Sequence, residues 1–269
     1  MNLITMFALL PLLWAADQTP APSPPDTEID PRVDRILTAM ERAGANVNDL
    51  QCRVRYIVEN RINLGDVREW QGAILYQKAD PHPRFLITFD RSLVGPEAQA
   101  PRPVIKKRQW YLLENRWLWI VKEESRQVMK SEVVRPGEHV DFFDINKAPF
   151  PFPFGQKKEP LLHQFNVMLA PSAADEPGVD HLVCIPKSGA PAAEHWDKID
   201  YYVLKDLKLP MKIIALEQGG DKETTTIFPD LSSKSINPGL DDRDFAHPKE
   251  WKKYGEPIVE PLGGGKTLP

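Results

Sequence analysis

The chain offers little of the equipment that catalysis needs. Its six histidines are His82, His139, His163, His181, His195 and His247. None stands at metal-ligand spacing from another His or from a Cys. Cys52 and Cys184 are the two cysteines, both on predicted strands. Two readings stand for them: a bridge in an oxidising compartment, or two small buried hydrophobes. The sequence contains no G-x-S-x-G turn, phosphate loop or dinucleotide fingerprint. Residues 263–266 (GGGK) sit in a tail without a preceding strand, which disqualifies them as a phosphate loop. The acidic pairs Asp241-Asp242 and Glu123-Glu124 read as solvated turns. The expectation is a non-catalytic binding protein without metal or cofactor. The alternative is an enzyme with an unrecognised site.

The sequence does supply ordered apolar surface. Residues 51–59 (QCRVRYIVE) put Cys52, Val54, Tyr56 and Val58 on one face and Arg53, Arg55 and Glu59 on the other. Residues 70–78 repeat the alternation with Trp70, Ile74 and Tyr76, and residues 84–90 with Phe85, Ile87 and Phe89. A period of two marks a strand with unlike faces. Residues 106–113 (KKRQWYLL) and 116–122 (RWLWIVK) are apolar on both faces, so both their sides should be covered. Four of the seven tryptophans fall in this stretch: Trp70, Trp110, Trp117 and Trp119. A concave face so lined can bury a run of methylenes, or it can be a plain core.

These strands need a frame. The 269 residues carry a net charge of −4 and no basic stripe, which argues against nucleic acid as partner. The first 14 residues are almost wholly apolar, then Ala15-Ala16 follows. That run is too short to span a bilayer and matches a signal peptide over 1–16, the other reading being a buried N-terminal segment. Residues 17–30 are rich in Pro and acid and read as a disordered linker. Asp30-Pro31 then caps an amphipathic helix over 31–43, with Val33, Ile36, Leu37 and Met40 at helical spacing and Gly44 as its stop. Residues 138–146 suggest a short helix. Phe150, Phe152 and Phe154 in the following PFPFPFGQ loop either plug the core or form a mobile lid. A second meander is expected over 164–169, 182–187, 198–205, 211–217 and 222–228, with a short strand at 233–237. Residues 249–269 are expected to be a flexible tail. One helix cannot cover so many strands laid flat. A curved sheet wrapped on that helix can.

With those elements in place, several motifs resemble the LolA/LolB superfamily of periplasmic lipoprotein-localisation factors. They are Gly72-x-Ile74-x-Tyr76-x-Lys78 with Pro83-Arg84-Phe85, and Trp110-Tyr111 with Glu114-Asn115-Arg116-Trp117. Leu209-Pro210-Met211-Lys212-Ile213, Thr226-Ile227-Phe228, Asn237 and Phe245 to Pro248 follow in the same order. The resemblance implies an α+β, mainly β fold over 31–248: a curved antiparallel half-barrel wrapped around the N-terminal helix and a helix/loop lid. It implies a soluble, monomeric periplasmic carrier whose partners are acyl chains of lipid or lipoprotein and membrane-associated donor and acceptor proteins. The expected cavity liners are Tyr56, Trp70, Ile74, Tyr76, Phe85, Ile87, Phe89, Trp110, Trp117 and Trp119. Arg84 looks like the lid-gating arginine of that family. An RseB-like envelope-stress sensor is the second reading within the same superfamily.

Overall fold

The computed structural model describes residues 29–63, 65–79, 82–99, 101–135, 154–171 and 177–262. The expected signal peptide, nearly all of the linker, the helix at 138–146, Phe150 and Phe152 lie outside the described residues.

The first element is α1, Pro31–Ala45. Asp30 caps it by accepting a 2.8 Å hydrogen bond from the Arg32 backbone N–H, and Pro31 occupies the first turn, where its missing donor costs nothing. Val33, Leu37, Met40 and Gly44 form its buried stripe. Gly44 does not end the helix, as Asn46 is the cap. A Cβ at Gly44 would lie 3.0 Å from the Gly155 backbone nitrogen, so the glycine instead admits the 154–155 segment against α1.

Seven strands follow: β1 (Asp49–Asn60), β2 (Val67–Gln77), β3 (Arg84–Val94), β4 (Val104–Ile105), β5 (Gln109–Glu114), β6 (Trp117–Lys122) and β7 (Gln127–Glu132). The short polar turn between β5 and β6 places Asn115 at φ 56°, a left-handed position that Asn tolerates. After α2 (Lys158–Gln164) come β8 (Phe165–Leu169), β9 (Val179–Pro186), β10 (Trp196–Leu204), β11 (Pro210–Glu217), β12 (Lys222–Ile227) and β13 (Ile258–Glu260). Pro160 lies in the first turn of α2, where a proline removes no helical hydrogen bond.

The thirteen strands form one open, curved sheet in the order β13-β7-β6-β5-β3-β2-β1-β12-β11-β10-β9-β8, with β4 on β3. All pairs are antiparallel except β13, which runs parallel to β7. The first strand thus lies in the middle. The chain winds outward from it to β7, resumes at the far edge with β8, and returns until β12 closes on β1.

Both faces carry cores. One inner cluster joins Leu50, Cys52, Val54, Ile74, Phe85, Ile87, Leu113, Ile120, Val134, Phe154, Phe228 and their neighbours. A second sets the α1 stripe against Leu182, Ile199, Tyr201, Ile213 and Ala215 on the same side of the sheet. A third lies on the outer face, where Leu86, Trp110, Leu112, Val121 and Val128 are covered by Phe245 and Trp251.

Residues 233–237 give a 3-10 turn, Ser233–Ser235, and a single bridge from Ile236 to Leu50, not the expected strand. The segment expected to be a tail from 249 is structured as far as 262. It holds the 3-10 helix Lys249–Lys253, whose Trp251 is buried, and then β13. The apolar ring of Trp251 finds its cover in Trp110 and Trp119, which explains why an acidic, Pro-rich segment is held at all.

Candidate functional site

Alternation decides which side chains share the inner face. On β1 these are Cys52, Val54 and Tyr56; on β2, Trp70, Ile74 and Tyr76; on β3, Phe85, Ile87 and Phe89; on β5 and β7, Tyr111 and Met129. Register then aligns them across strands, with Tyr56 opposite Trp70, Ile74 opposite Ile87 and Tyr76 opposite Phe85.

The face is sealed at one end, and at the other its side chains are only partly buried. Ile74, Tyr76, Phe85, Ile87 and Phe89 retain at most 4% of their surface. Phe154 packs tilted against Tyr76 at 4.6 Å between ring centroids, and Leu209, Phe228 and Leu231 close the same end. Tyr56, Trp70, Tyr111 and Met129 pack on this cluster yet stay half-buried. Their rings make a continuous strip: Tyr56 lies 6.0 Å from Trp70 and 6.4 Å from Phe89, and Phe89 lies 6.1 Å from Tyr111. Tyr56 and Phe89 meet although β2 separates their strands. Gly72 stands between Val54 and Phe89 at a bulge and contributes no side chain there. A Cβ on Gly72 would fall 1.8 Å from the Thr88 carbonyl oxygen, so only glycine permits this approach.

Of the ten expected liners, the structure brings seven together on the inner face: Tyr56, Trp70, Ile74, Tyr76, Phe85, Ile87 and Phe89. Five of these are sealed in core. Trp110, Trp117 and Trp119 do not join them. Trp110 and Trp119 face outward, with Trp251 6.2 Å from each ring and His247 4.7 Å from Trp119. Trp117 alternates onto the same outer side, where Lys130 sits over both it and Trp119. Tyr111 and Met129 are inner-face residues that the sequence reading passed over. The signal for Tyr111 was its place one residue from Trp110, on the opposite side of the same strand.

Arg84 is likewise an outer-face residue. Its guanidinium donates to Gln77 Oε1 at 2.8 and 2.5 Å and to Asp242 Oδ1 at 2.7 Å, and lies 4.3 Å from the Phe245 ring. It fastens the 240–245 segment to the sheet and does not reach the inner face, so the gating role is not its arrangement here. Cys52 and Cys184 are free, buried thiols in separate inner clusters. Burial pushes both thiols up, which keeps them protonated and inert. Burial, helped by Glu217 and Tyr111, also pushes Tyr56 up to about 12, so its hydroxyl stays neutral. The strip's own side chains are neutral, and the Arg68 guanidinium lies 5.8 Å from the Trp70 ring.

No protein-family model matches the chain, and no curated protein does. Solved structures do. A crystal structure of MucB is similar at 14% identity and a TM-score of 0.45, over 82% of this chain and 64% of that one. An uncharacterized conserved protein from Thermus thermophilus is similar at 12% identity and a TM-score of 0.42, over 85% and 99%. A LolA superfamily protein from Nitrosomonas europaea is similar at 12% identity and a TM-score of 0.36, over 80% and 97%.

Proposed function

We propose that the chain is an exported, non-catalytic carrier that binds an acyl chain of a lipid or lipoprotein along its inner face. The observation that supports this is the half-buried strip of Tyr56, Trp70, Tyr111 and Met129 beside a sealed core. An apolar aromatic strip of this kind gains from a run of methylenes at about 0.8 kcal/mol per buried CH₂. Half of a sixteen-carbon chain so buried yields roughly 6 kcal/mol before the cost of ordering it. The sealed end at Phe154 and Tyr76 sets the depth the chain reaches. No described helix is long and apolar enough to cross a membrane.

The test is displacement fluorimetry with a polyene fatty acid, together with native mass spectrometry of protein from its own cells. Micromolar binding of the probe is expected. Met129→Lys, which places a charge on the strip at a half-buried position, is expected to weaken binding at least tenfold while the melting temperature moves by a few degrees. A wild-type chain that binds no acyl probe and carries no acyl species overturns the reading.

A further inference from the structure

The outer face of β1 and β2 holds a cavity of about 320 Å³, open on one side and lined by Arg53, Arg55, Gln71, Gly72, Glu97 and Arg102. It lies behind the aromatic strip, on the other side of the same two strands. Its chemistry is the opposite of the strip's.

The floor is built around Glu69, whose side chain is fully buried. Glu69 Oε1 accepts from Arg55 Nε and from Gln71 Nε2, both at 2.6 Å, and Oε2 accepts from Arg102 Nη2 at 2.7 Å. Arg102, whose side chain is only 9% exposed, also donates from Nη1 to the Gly95 carbonyl at 3.4 Å. Arg91 donates from Nε to Gln71 Oε1 at 3.0 Å. Two guanidiniums are therefore fixed in place and pointed at the cavity with donors left over.

The rim is loosely held by comparison. Glu97 meets Arg55 Nη2 at 3.3 Å, and its side chain is 76% exposed. The Arg53 guanidinium has no acceptor among the described residues, and only its backbone N–H is engaged, by Asp230 at 2.7 Å. Of the charged side chains that line the cavity, three are arginines, Arg53, Arg55 and Arg102, and one is a carboxylate, Glu97. The Glu69 network fixes the guanidiniums of Arg55 and Arg102 in place. It holds donors where a planar or tetrahedral oxyanion fits.

We propose that this cavity binds a small organic anion through a carboxylate or phosphate group. The group sits between Arg53 and Arg55 and displaces Glu97 from Arg55, while Arg102 and Glu69 keep the floor rigid. The volume stands at the small end of ligand pockets, which run from about 300 to 1,000 Å³ and suit metabolite-sized ligands.

Isothermal titration of the full chain with inorganic phosphate, glycerol 3-phosphate and glutarate at low ionic strength tests the site. At least one probe is expected to bind with millimolar or tighter affinity and to weaken as salt is added. Binding by the phosphates alone assigns a phosphate ligand; binding by glutarate alone assigns a carboxylate. Arg53→Ala, at an exposed position outside the Glu69 network, is expected to weaken binding at least tenfold without shifting the melting temperature. Glu97→Gln, which removes the resident competitor, is expected to tighten it several-fold. Silence from all three probes in both the wild type and Glu97→Gln overturns the proposal. So does binding that Arg53→Ala leaves unchanged.

Discussion

Glu69→Gln asks whether one buried carboxylate governs the acid limb of stability. Burial alone raises a carboxyl pKa. Here the donors Arg55, Gln71 and Arg102 outweigh it and hold Glu69 at about 2, against an ordinary 4.5. Because the folded value is the lower one, the stabilisation is complete above the unfolded value and drains as pH falls towards the folded one. The gap of about 2.5 units (4.5 less 2), at 1.36 kcal/mol each, amounts to ~3 kcal/mol at neutral pH. Replacing the carboxylate with an amide also leaves Arg55 and Arg102, 27% and 9% exposed, facing a neutral group. Urea denaturation at pH 7 should therefore show Glu69→Gln less stable by about 3 kcal/mol. By pH 3 the wild type has lost much of this advantage, so the two curves should draw together. A gap that is the same at pH 7 and pH 3 refutes the reasoning, as does a cost below about 1 kcal/mol at neutral pH.

Two other outcomes follow from the packing. Ile87→Trp forces an indole into a position that is 1% exposed and should cost about 1–3 kcal/mol by thermal or urea denaturation, since overpacked cores strain their neighbours. Arg84→Leu removes the clasp on Asp242 and Phe245 and should speed proteolysis within 240–254 several-fold, read by peptide mapping. It should change global stability by no more than about 1 kcal/mol, because Asp242 is exposed and such contacts are weak.

The strands were legible because their alternation is strong. So was the double-sided burial of β5 and β6: Trp110, Leu112 and Val121 pack outward while Leu113, Leu118 and Ile120 pack inward. What covers the outer side was not legible. Trp251 stands in the stretch that reads as a tail and Phe245 just ahead of it, and only long-range register reveals their partners. Trp110, Trp117 and Trp119 were assigned to the wrong face for a related reason. In a strand apolar on both faces nothing local says which side is concave, and one residue of slip exchanges the two. Arg84 shows the same limit, as its acceptor Asp242 lies 158 positions away. The Glu69 network was not legible either, since its donors Arg55 and Arg102 lie 14 and 33 positions away and a polar strand face ordinarily keeps its carboxylates in water.

Placing β1 at the centre of the sheet also orders events in time. Tyr56 pairs with Thr226, 170 positions later, and the whole β1–β12 seam has separations of that size. During synthesis, one side of the first strand stays an open edge until nearly the entire chain has emerged. The first meander can pair early through short hairpins, whereas sealing the sheet waits for Lys222–Ile227. Closure across such a separation makes the seam the slow, non-local step of folding. The exposed edge of β1 is the place where a second chain can add a strand if closure is delayed.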